Sequence, residues 1–316
     1  MPKNLAKFVD QFKGKKIAVV GDLMLDHFIF GDIDRISPEA PVPVLLAKAD
    51  TMVPGGAGNV ATNLAALGAL PIIFAVVGTD EAAPKLLSEL KKRGVLTEGI
   101  VTDPGRPTTQ KTRVVARNQQ LVRIDREKTD YIDQSTEKKL LAVFAKFIKK
   151  VDGVAISDYA KGAVTENLAR EIIALANKYK KPVIVDTKPK HANFFKNFTL
   201  IKTNHKEAVG ISGVDDIKTA GKKIQKMMNC DVLVTRGAEG MALFAGGALE
   251  HFPTQAREVY DVVGAGDTVV AALLPALASG ASLREATIIA NYAAGIVVGK
   301  AGTATVGPEE LKESLQ

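Results

Sequence analysis

Apolar positions along the chain follow two alternating rhythms. Short runs rich in Val, Ile and Leu give way to longer segments in which apolar residues return every third or fourth position. Residues 16–20, ending at Gly21-Asp22, read as the first strand. Further strands are predicted over 71–77, 154–157, 183–186, 200–202 and 231–235, with two short ones near Met241 and Glu250. Between them lie predicted helices over 81–93 (closed by Gly94), 133–149 and 165–180, and one ending near Met228. The last two segments, 264–280 and 282–299, are apolar on nearly every side and predict buried helices. Such strand–helix alternation predicts an α/β fold with a largely parallel sheet covered on both faces.

The rhythm breaks twice. Residues 28–30 and 42–47 are extended in character, and the stretch between and around them carries Pro38, Pro41 and Pro43, which exclude helix and suit edge strands. Residues 109–116 and 119–125 form two strand-like runs joined at Arg117-Asn118, a hairpin signal. Together they predict a small antiparallel sheet, a lid built from segments near 27–50 and 108–125 and inserted in one domain spanning 1–316. Residues 55–68 read as a glycine turn followed by a helix rich in alanine and leucine.

Composition narrows the class. The 316 residues are 46% hydrophobic and 24% charged, which is ordinary for a globular protein with a sizeable core. No apolar run reaches the roughly 18 to 20 residues of a bilayer span, and the N-terminus reads as a short amphipathic helix rather than a signal peptide. The single cysteine, Cys230, excludes an intrachain disulfide and a cysteine-cluster metal site; its expected role is packing. These features point to the cytoplasm. The net charge of +7 calls for an anionic partner. The basic residues are dispersed and aromatics are only 5%, which leaves few platforms for stacking bases. A sugar phosphate or nucleotide accounts for the charge as well as a polynucleotide would; the expected partners are such small molecules, with no nucleic acid and no membrane.

The turn Gly264-Ala265-Gly266 runs directly into an apolar helix, and the free N–H groups of such a helix start form a seat for phosphate. Asp267 lies among them. It either caps the helix or orients a hydroxyl for attack on the phosphate, and its place at the positive helix end predicts a lowered pKa. Gly-Lys pairs begin at 14, 221 and 299 and are followed by Lys, Lys and Ala, so no P-loop is present. Gly56-Ala-Gly58-Asn59-Val-Ala61 matches the loose dinucleotide fingerprint, but it does not follow the first strand. Its glycines better serve close approach to a small ligand, with the Asn59 amide offered to hydroxyls. Asp22 and Asp26 follow the first strand, where open α/β sheets bind ligands; they are ligands for vicinal hydroxyls or solvated loop acids. Asn204 and Glu207 either form a capping box or hold water around a phosphate-bound Mg²⁺. The four histidines show no metal-ligand spacing and read as surface or loop residues. The absence of a Gly-x-Ser-x-Gly elbow argues against a serine hydrolase of that type.

In chain order, Gly55-Gly-Ala-Gly-Asn59-Val-Ala, Asn204-x-x-Glu207, Val234-Thr-Arg-Gly237 and Asp261-Val-Val-Gly-Ala-Gly-Asp267 resemble the signatures of the ribokinase-like (PfkB) carbohydrate kinase family. The likeness covers nearly the whole chain. Longer stretches are similar to the branch of that family acting on D-glycero-β-D-manno-heptose 7-phosphate in lipopolysaccharide-core synthesis. They are Gly21-Asp-Leu-Met-Leu-Asp26, Arg35-Ile-Ser-Pro-Glu-Ala-Pro-Val-Pro43, Arg117-Asn-Gln-Gln-Leu-Val-Arg123, Ser157-Asp-Tyr-Ala-Lys-Gly162 and Pro253-Thr-Gln-Ala-Arg-Glu-Val-Tyr260.

The resemblance implies a mostly parallel central sheet flanked by helices with a small β lid. It also implies ATP and Mg²⁺ as cofactors and phosphorylation of the anomeric hydroxyl to give the 1,7-bisphosphate. By it, Asp267 is the base, with Gly264, Ala265 and Gly266 as an anion hole. Asn204 and Glu207 organise Mg²⁺ through water, and Thr235, Arg236, Gly237 and Asn291 lie on the nucleotide side. Asp22, Asp26, Gly55, Gly56 and Asn59 face the sugar, while Arg117, Arg123 and Lys161 are candidates for its 7-phosphate. A homodimer through the lid is implied as well.

Two departures stand out. Val262 and Val263 occupy positions where relatives often have a threonine, and Thr187 replaces a common proline. In that branch a nucleotidyltransferase domain often follows the kinase; its His-x-Gly-His signature is not in this chain, which is expected to be the kinase part alone. Two alternatives stay open: a kinase of another sugar or sugar phosphate, and a nucleotide- or nucleic-acid-binding protein without catalysis.

Overall fold

The computed structural model describes residues 5–117, 119–256 and 259–316. Among these residues fourteen strands follow in chain order. They are β1 (Lys16–Gly21), β2 (Leu23–Ile36), β3 (Pro43–Gly56), β4 (Leu70–Phe74), β5 (Val76–Val77), β6 (Val101–Thr102) and β7 (Thr109–Ala116). The others are β8 (Gln119–Arg126), β9 (Gly153–Asp158), β10 (Val183–Thr187), β11 (Leu200–Asn204), β12 (Asp231–Thr235), β13 (Met241–Ala245) and β14 (Ala248–Phe252).

The main sheet runs in the order β14-β13-β12-β11-β10-β9-β1-β4. From β12 to β4 all neighbours are parallel, and β13 and β14 add an antiparallel edge. Its strands are apolar at consecutive positions because both faces are covered. In β1, Ile17 and Val19 join the core beneath the helices Ala57–Ala66, Ala265–Ala278 and Leu283–Val298, while Ala18 and Val20 join a second core on the opposite face. The predicted α/β architecture is therefore present, with a C-terminal helix, Pro308–Ser314, that the hydrophobic pattern did not announce.

A second sheet, in the order β3-β2-β7-β8, stands beside the first. β2 and β3 span Leu23–Ile36 and Pro43–Gly56, longer than the short apolar runs suggest, because their outer halves are mostly polar or exposed. Pro43 opens the edge strand β3, where its missing N–H is harmless. Register shifts interrupt the ladders between Phe30 and Gly31, between Ile33 and Arg35, and between Val114 and Val115.

The roots of this sheet are pinned. Only Asp22 separates β1 from β2, and its carbonyl accepts the Ala57 N–H where β3 enters its helix (3.0 Å). Ahead of β7, the Thr108 N–H donates to Asp80 (2.6 Å) and its hydroxyl accepts the Gly78 N–H (2.9 Å). After β8, Glu127 accepts from Lys111 (3.1 Å) and Lys161 (2.6 Å). The hairpin residue Asn118 lies outside the described residues.

Candidate active site

The C-terminal ends of β9 to β12 and the start of the Ala265–Ala278 helix converge, as the ligand end of an open parallel sheet should. They border a cavity of about 610 Å³ lined by Lys202, Asn204, Thr235, Gly237, Met241, Val259, Val262, Ala265, Gly266, Asn291 and Val298, among others. The wall from Met241 to Val298 is mostly apolar, and the floor carries the charge.

Gly264 caps the helix with φ +82°, a left-handed conformation that suits glycine. Of the donors at this turn, the Ala265 N–H goes to Val262 O (3.3 Å) and the Asp267 N–H to Gly264 O (3.0 Å). Among the described residues, the Gly266 N–H has no backbone acceptor. Gly266 also admits a close neighbour: a Cβ there would lie 2.7 Å from Lys202 Nζ. Lys202, buried on β11, is held by Asp186 of β10 at 2.6 Å. Burial works against its charge, but Asp186 together with Asp267 and Glu207 more than offsets this, and its pKa lies above the ordinary value. A fixed cation beside a helix N-terminus makes a strong seat for an anion.

Asp267 is buried, and both of its oxygens are held. Asn59 Nδ2 donates to Oδ2 (2.6 Å) and the Tyr159 hydroxyl donates to Oδ1 (3.0 Å). Behind it, Thr268 donates to Asn63 (2.8 Å), whose amide returns to Asn59 O (2.9 Å), so a polar ladder ties the two helices together. The expectation of a lowered pKa is overturned. Burial pushes the carboxyl up to about 6, with the Asp186 charge adding, against the opposing bonds from Asn59 and Tyr159 and the Lys202 charge. Desolvation exceeds the helix-end effect because the group sits under protein rather than at a wet helix start. Burial and the Asp267 charge raise the Tyr159 phenol well above its usual value.

Several expected ligands have other partners. Asp22 is buried, and its carboxylate accepts the N–H groups of Tyr159 (2.8 Å), Lys161 (3.0 Å) and Ala163 (3.0 Å), so that it pins the loop after β9. Asp26 lies within β2 rather than in a loop, and Arg113 of β7 binds its Oδ1. The tight spacing at Gly55 and Gly56 serves the protein itself: a Cβ at Gly55 would meet Asp26 Oδ2 at 2.1 Å, and one at Gly56 would meet Asp22 O at 2.4 Å. Asn59 faces Asp267 with the amide expected to be free for hydroxyls.

Asn204 and Glu207 form a reciprocal capping box, and Glu207 also binds Lys188 (2.6 Å). Although burial opposes it, Lys188 and Lys202 hold the Glu207 carboxyl below its usual pKa, so it is a firm anion. Thr235, Gly237 and Asn291 line the cavity, while Arg236 pairs with Glu239 and is not part of the lining.

Of the three cations assigned to a sugar phosphate, two belong to one ion-pair network. Arg117 is exposed beside the hairpin tip with φ +49°. Arg123 pairs with Asp125 (2.9 Å) and Lys161 with Glu127 (2.6 Å). Lys111 joins these pairs by binding both Asp125 (3.0 Å) and Glu127 (3.1 Å). His191, expected as a surface or loop residue, is buried in a short 3-10 helix. The residues that pattern reading passed over are Lys202, Asp186, Lys188, Tyr159 and Arg113. A signal was present for the first two: a lysine and an aspartate close otherwise apolar runs, Leu200-Ile-Lys and Val183-Ile-Val-Asp, at the ligand end of the sheet.

Comparison with known proteins agrees with this geometry. The family described as pfkB family carbohydrate kinase matches residues 14–310. The curated protein named Bifunctional protein HldE from Geobacter sulfurreducens is 44% identical over 304 residues, covering 94% of this chain and 62% of its own length. The protein of that name from Nitratiruptor sp. is 46% identical over 94% of this chain and 64% of its own length. The chain thus spans less than two-thirds of these relatives. Among solved structures, Arabidopsis thaliana ribokinase with ribose and ATP aligns with a TM-score of 0.73 at 18% identity, covering 96% of this chain and 99% of that one. Phosphofructokinase-2 from Escherichia coli aligns with a TM-score of 0.76 at 21% identity, covering 95% and 97% respectively; at these identities the likeness is one of fold.

Proposed function

The chain belongs to the pfkB family of carbohydrate kinases, and on that premise we propose that it moves the γ-phosphoryl group of ATP onto the anomeric hydroxyl of D-glycero-β-D-manno-heptose 7-phosphate. The reaction is carried by one observation: a buried, doubly held carboxylate, Asp267, beside the free Gly266 N–H and the fixed Lys202 cation at the end of a nucleotide-sized cavity. The acceptor is supported by the likeness to HldE proteins over 94% of this chain and by the long stretches quoted above.

In this reading the sugar oxygen forms a bond to the γ-phosphorus as the bond to the ADP oxygen breaks, and Asp267 takes the hydroxyl proton. Such a transition state is loose, so proton removal comes late and a weak base suffices. Gly266 and Lys202 stabilise the charge on the transferring group. Asp26, set by Arg113, faces the sugar, while Asn59 holds Asp267. The phosphate already on the acceptor exchanges for carboxylates in the chain Arg123–Asp125–Lys111–Glu127–Lys161. Among the described residues no three acidic, histidine or cysteine groups gather as metal ligands, which suits a Mg²⁺ carried by the nucleotide phosphates with its waters. Glu207 and Asn204 would hold that hydrated ion, which supplies charge neutralisation on the phosphates.

The second sheet acts as a lid within one kinase domain. Its exposed Phe30, Leu46, Val122 and Ile124 support pairing with a second copy, and a protein sedimenting as a monomer at working concentration would refute that. No helix of the described residues is long and apolar enough to cross a membrane. The test of the whole reading is ADP release over a panel of sugar 7-, 6- and 1-phosphates and free sugars. Heptose 7-phosphate is expected to lead; equal turnover of fructose or ribose phosphates would sink the acceptor, and ATP binding without turnover of any acceptor would sink the enzyme.

A further inference from the structure

Three donors converge on the Asp158 carboxylate at the end of β9. Thr187 Oγ1 (2.6 Å) and His191 Nδ1 (2.8 Å) both reach Oδ2, and the Ala160 N–H (2.8 Å) reaches Oδ1. All three side chains, Asp158, Thr187 and His191, are buried. The other ring nitrogen, Nε2, lies 2.9 Å from the hydroxyl of Tyr131, and the ring stacks on Phe194 at 4.5 Å. With Nδ1–H donating to the carboxylate, Nε2 accepts from Tyr131, and a neutral imidazole satisfies every polar atom of the knot. Nothing in the phosphoryl-transfer scheme uses it.

Its position gives it a task. Ala160 has φ +57°, a left-handed conformation that a residue with a Cβ adopts only under constraint. It lies between Tyr159, whose hydroxyl meets Asp267, and Lys161, which binds Glu127. Asp22 grips this turn from one side through three N–H groups, and Asp158 grips it from the other. Thr187 joins the knot from between Asp186 and Lys188, the partners of Lys202 and Glu207. A strained turn persists only where its surroundings over-determine it, and strain of this kind collects at functional sites.

We propose that His191 is a positioning residue: by fixing Asp158, it holds the strained turn that aims the Tyr159 hydroxyl at Asp267. The inference rests on the reading of Asp267 as the acceptor of the hydroxyl proton. His191 is buried and lies outside the cavity lining, so its effect belongs in turnover rather than in ATP binding.

The experiment measures ADP release with ATP and the acceptor of highest turnover in the panel. His191→Leu, which removes the Nδ1 donor, should lower kcat about tenfold with the KM for ATP nearly unchanged. His191→Asn, whose amide can replace that donor, should stay near wild type. The double variant His191→Leu/Tyr159→Phe should fall no further than Tyr159→Phe alone, since both act through one hydroxyl. Ala160→Gly, which relaxes the turn, should restore part of the loss in His191→Leu; a side chain that only filled the core would give no such rescue. Multiplicative losses in the double variant, or a His191→Asn as slow as His191→Leu, would overturn the proposal. If His191→Leu does not fold, Thr187→Val removes the other donor to the same oxygen and is read in the same cycle. Asp267→Asn separates the two failures. Turnover retained there overturns the site reading and this inference with it, whereas turnover lost there with His191→Leu unchanged overturns the positioning role alone.

Discussion

The charges around Asp267 and those of the second sheet are organised in opposite ways. In the main sheet, Lys202 and Asp186 are buried, with each partner fixed by a strand end. In the second sheet, the Arg123–Asp125 pair is half-exposed and shares its carboxylate with Lys111. The first arrangement is preorganised, so no reorganisation is needed as charge moves. The second consists of contacts that water already competes for, and these are easily traded for a ligand's phosphate. On the proposed function, the buried set serves the chemistry and the exposed one serves recognition of the acceptor's phosphate.

Substitution at Asp267 should break the contrast most strongly. Asp267→Asn is expected to lower kcat by about 10² to 10⁴. In the wild type, kcat/KM should rise with pH through about 6 and then level, following the raised carboxyl of the free enzyme. Stability should move the other way. The folded carboxyl keeps its proton up to about pH 6 against an ordinary 3.8, so its penalty is absent below 3.8, grows between the two values and is full above 6. Asp267→Asn should therefore melt higher than wild type at pH 8, by up to about 3 kcal/mol less the lost Asn59 bond, with the gap closing toward pH 4. Equal melting at both pH values would remove burial as the cause.

Lys202→Met comes next. It leaves Asp186 buried without its cation, and thermal melts should show a loss of about 3 to 5 kcal/mol, alongside reduced turnover. A stability within error of wild type would mean that the pair is not preorganised as described. On the lid side the effects should be smaller and fall on recognition. Arg113→Met frees Asp26 and should raise the KM for the sugar about tenfold while leaving the KM for ATP unchanged. Arg123→Ala should alter stability by less than about 1 kcal/mol, yet weaken phosphorylated acceptors more than free sugars, an effect that shrinks as salt rises. If it weakened both equally, the exposed network would have no part in phosphate recognition.

The same contrast explains what the sequence disclosed. Gly264-Ala265-Gly266-Asp267 is legible because glycines at a helix start have few other uses, and the strand rhythm located the sheet. Lys202 and Tyr159 acquire meaning only when parallel pairing sets β9, β10 and β11 side by side, and that register is not written in any one segment. Asp22 and Asp26 looked alike as acids after a strand; one residue of chain decides that the first is buried as a clamp and the second stands in the other sheet. His191 was misread because its partners arrive from β9 and from the loop before residue 133. The pKa of Asp267 was misjudged because a helix position is local and burial is not.

The pinned roots of the second sheet have a mechanical consequence. With a single residue, Asp22, between β1 and β2, the slack at that crossing is about 3.8 Å of chain. The other three crossings are fastened at Gly56–Ala57, Thr108 and Glu127. Such a plate has no freedom to slide, and any stroke must come from torsion in its outer half, where the interrupted ladders at Phe30/Gly31, Ile33/Arg35 and Val114/Val115 lower the stiffness. The sheet is built as a cantilever, clamped at the end nearest the chemistry and compliant at the tip.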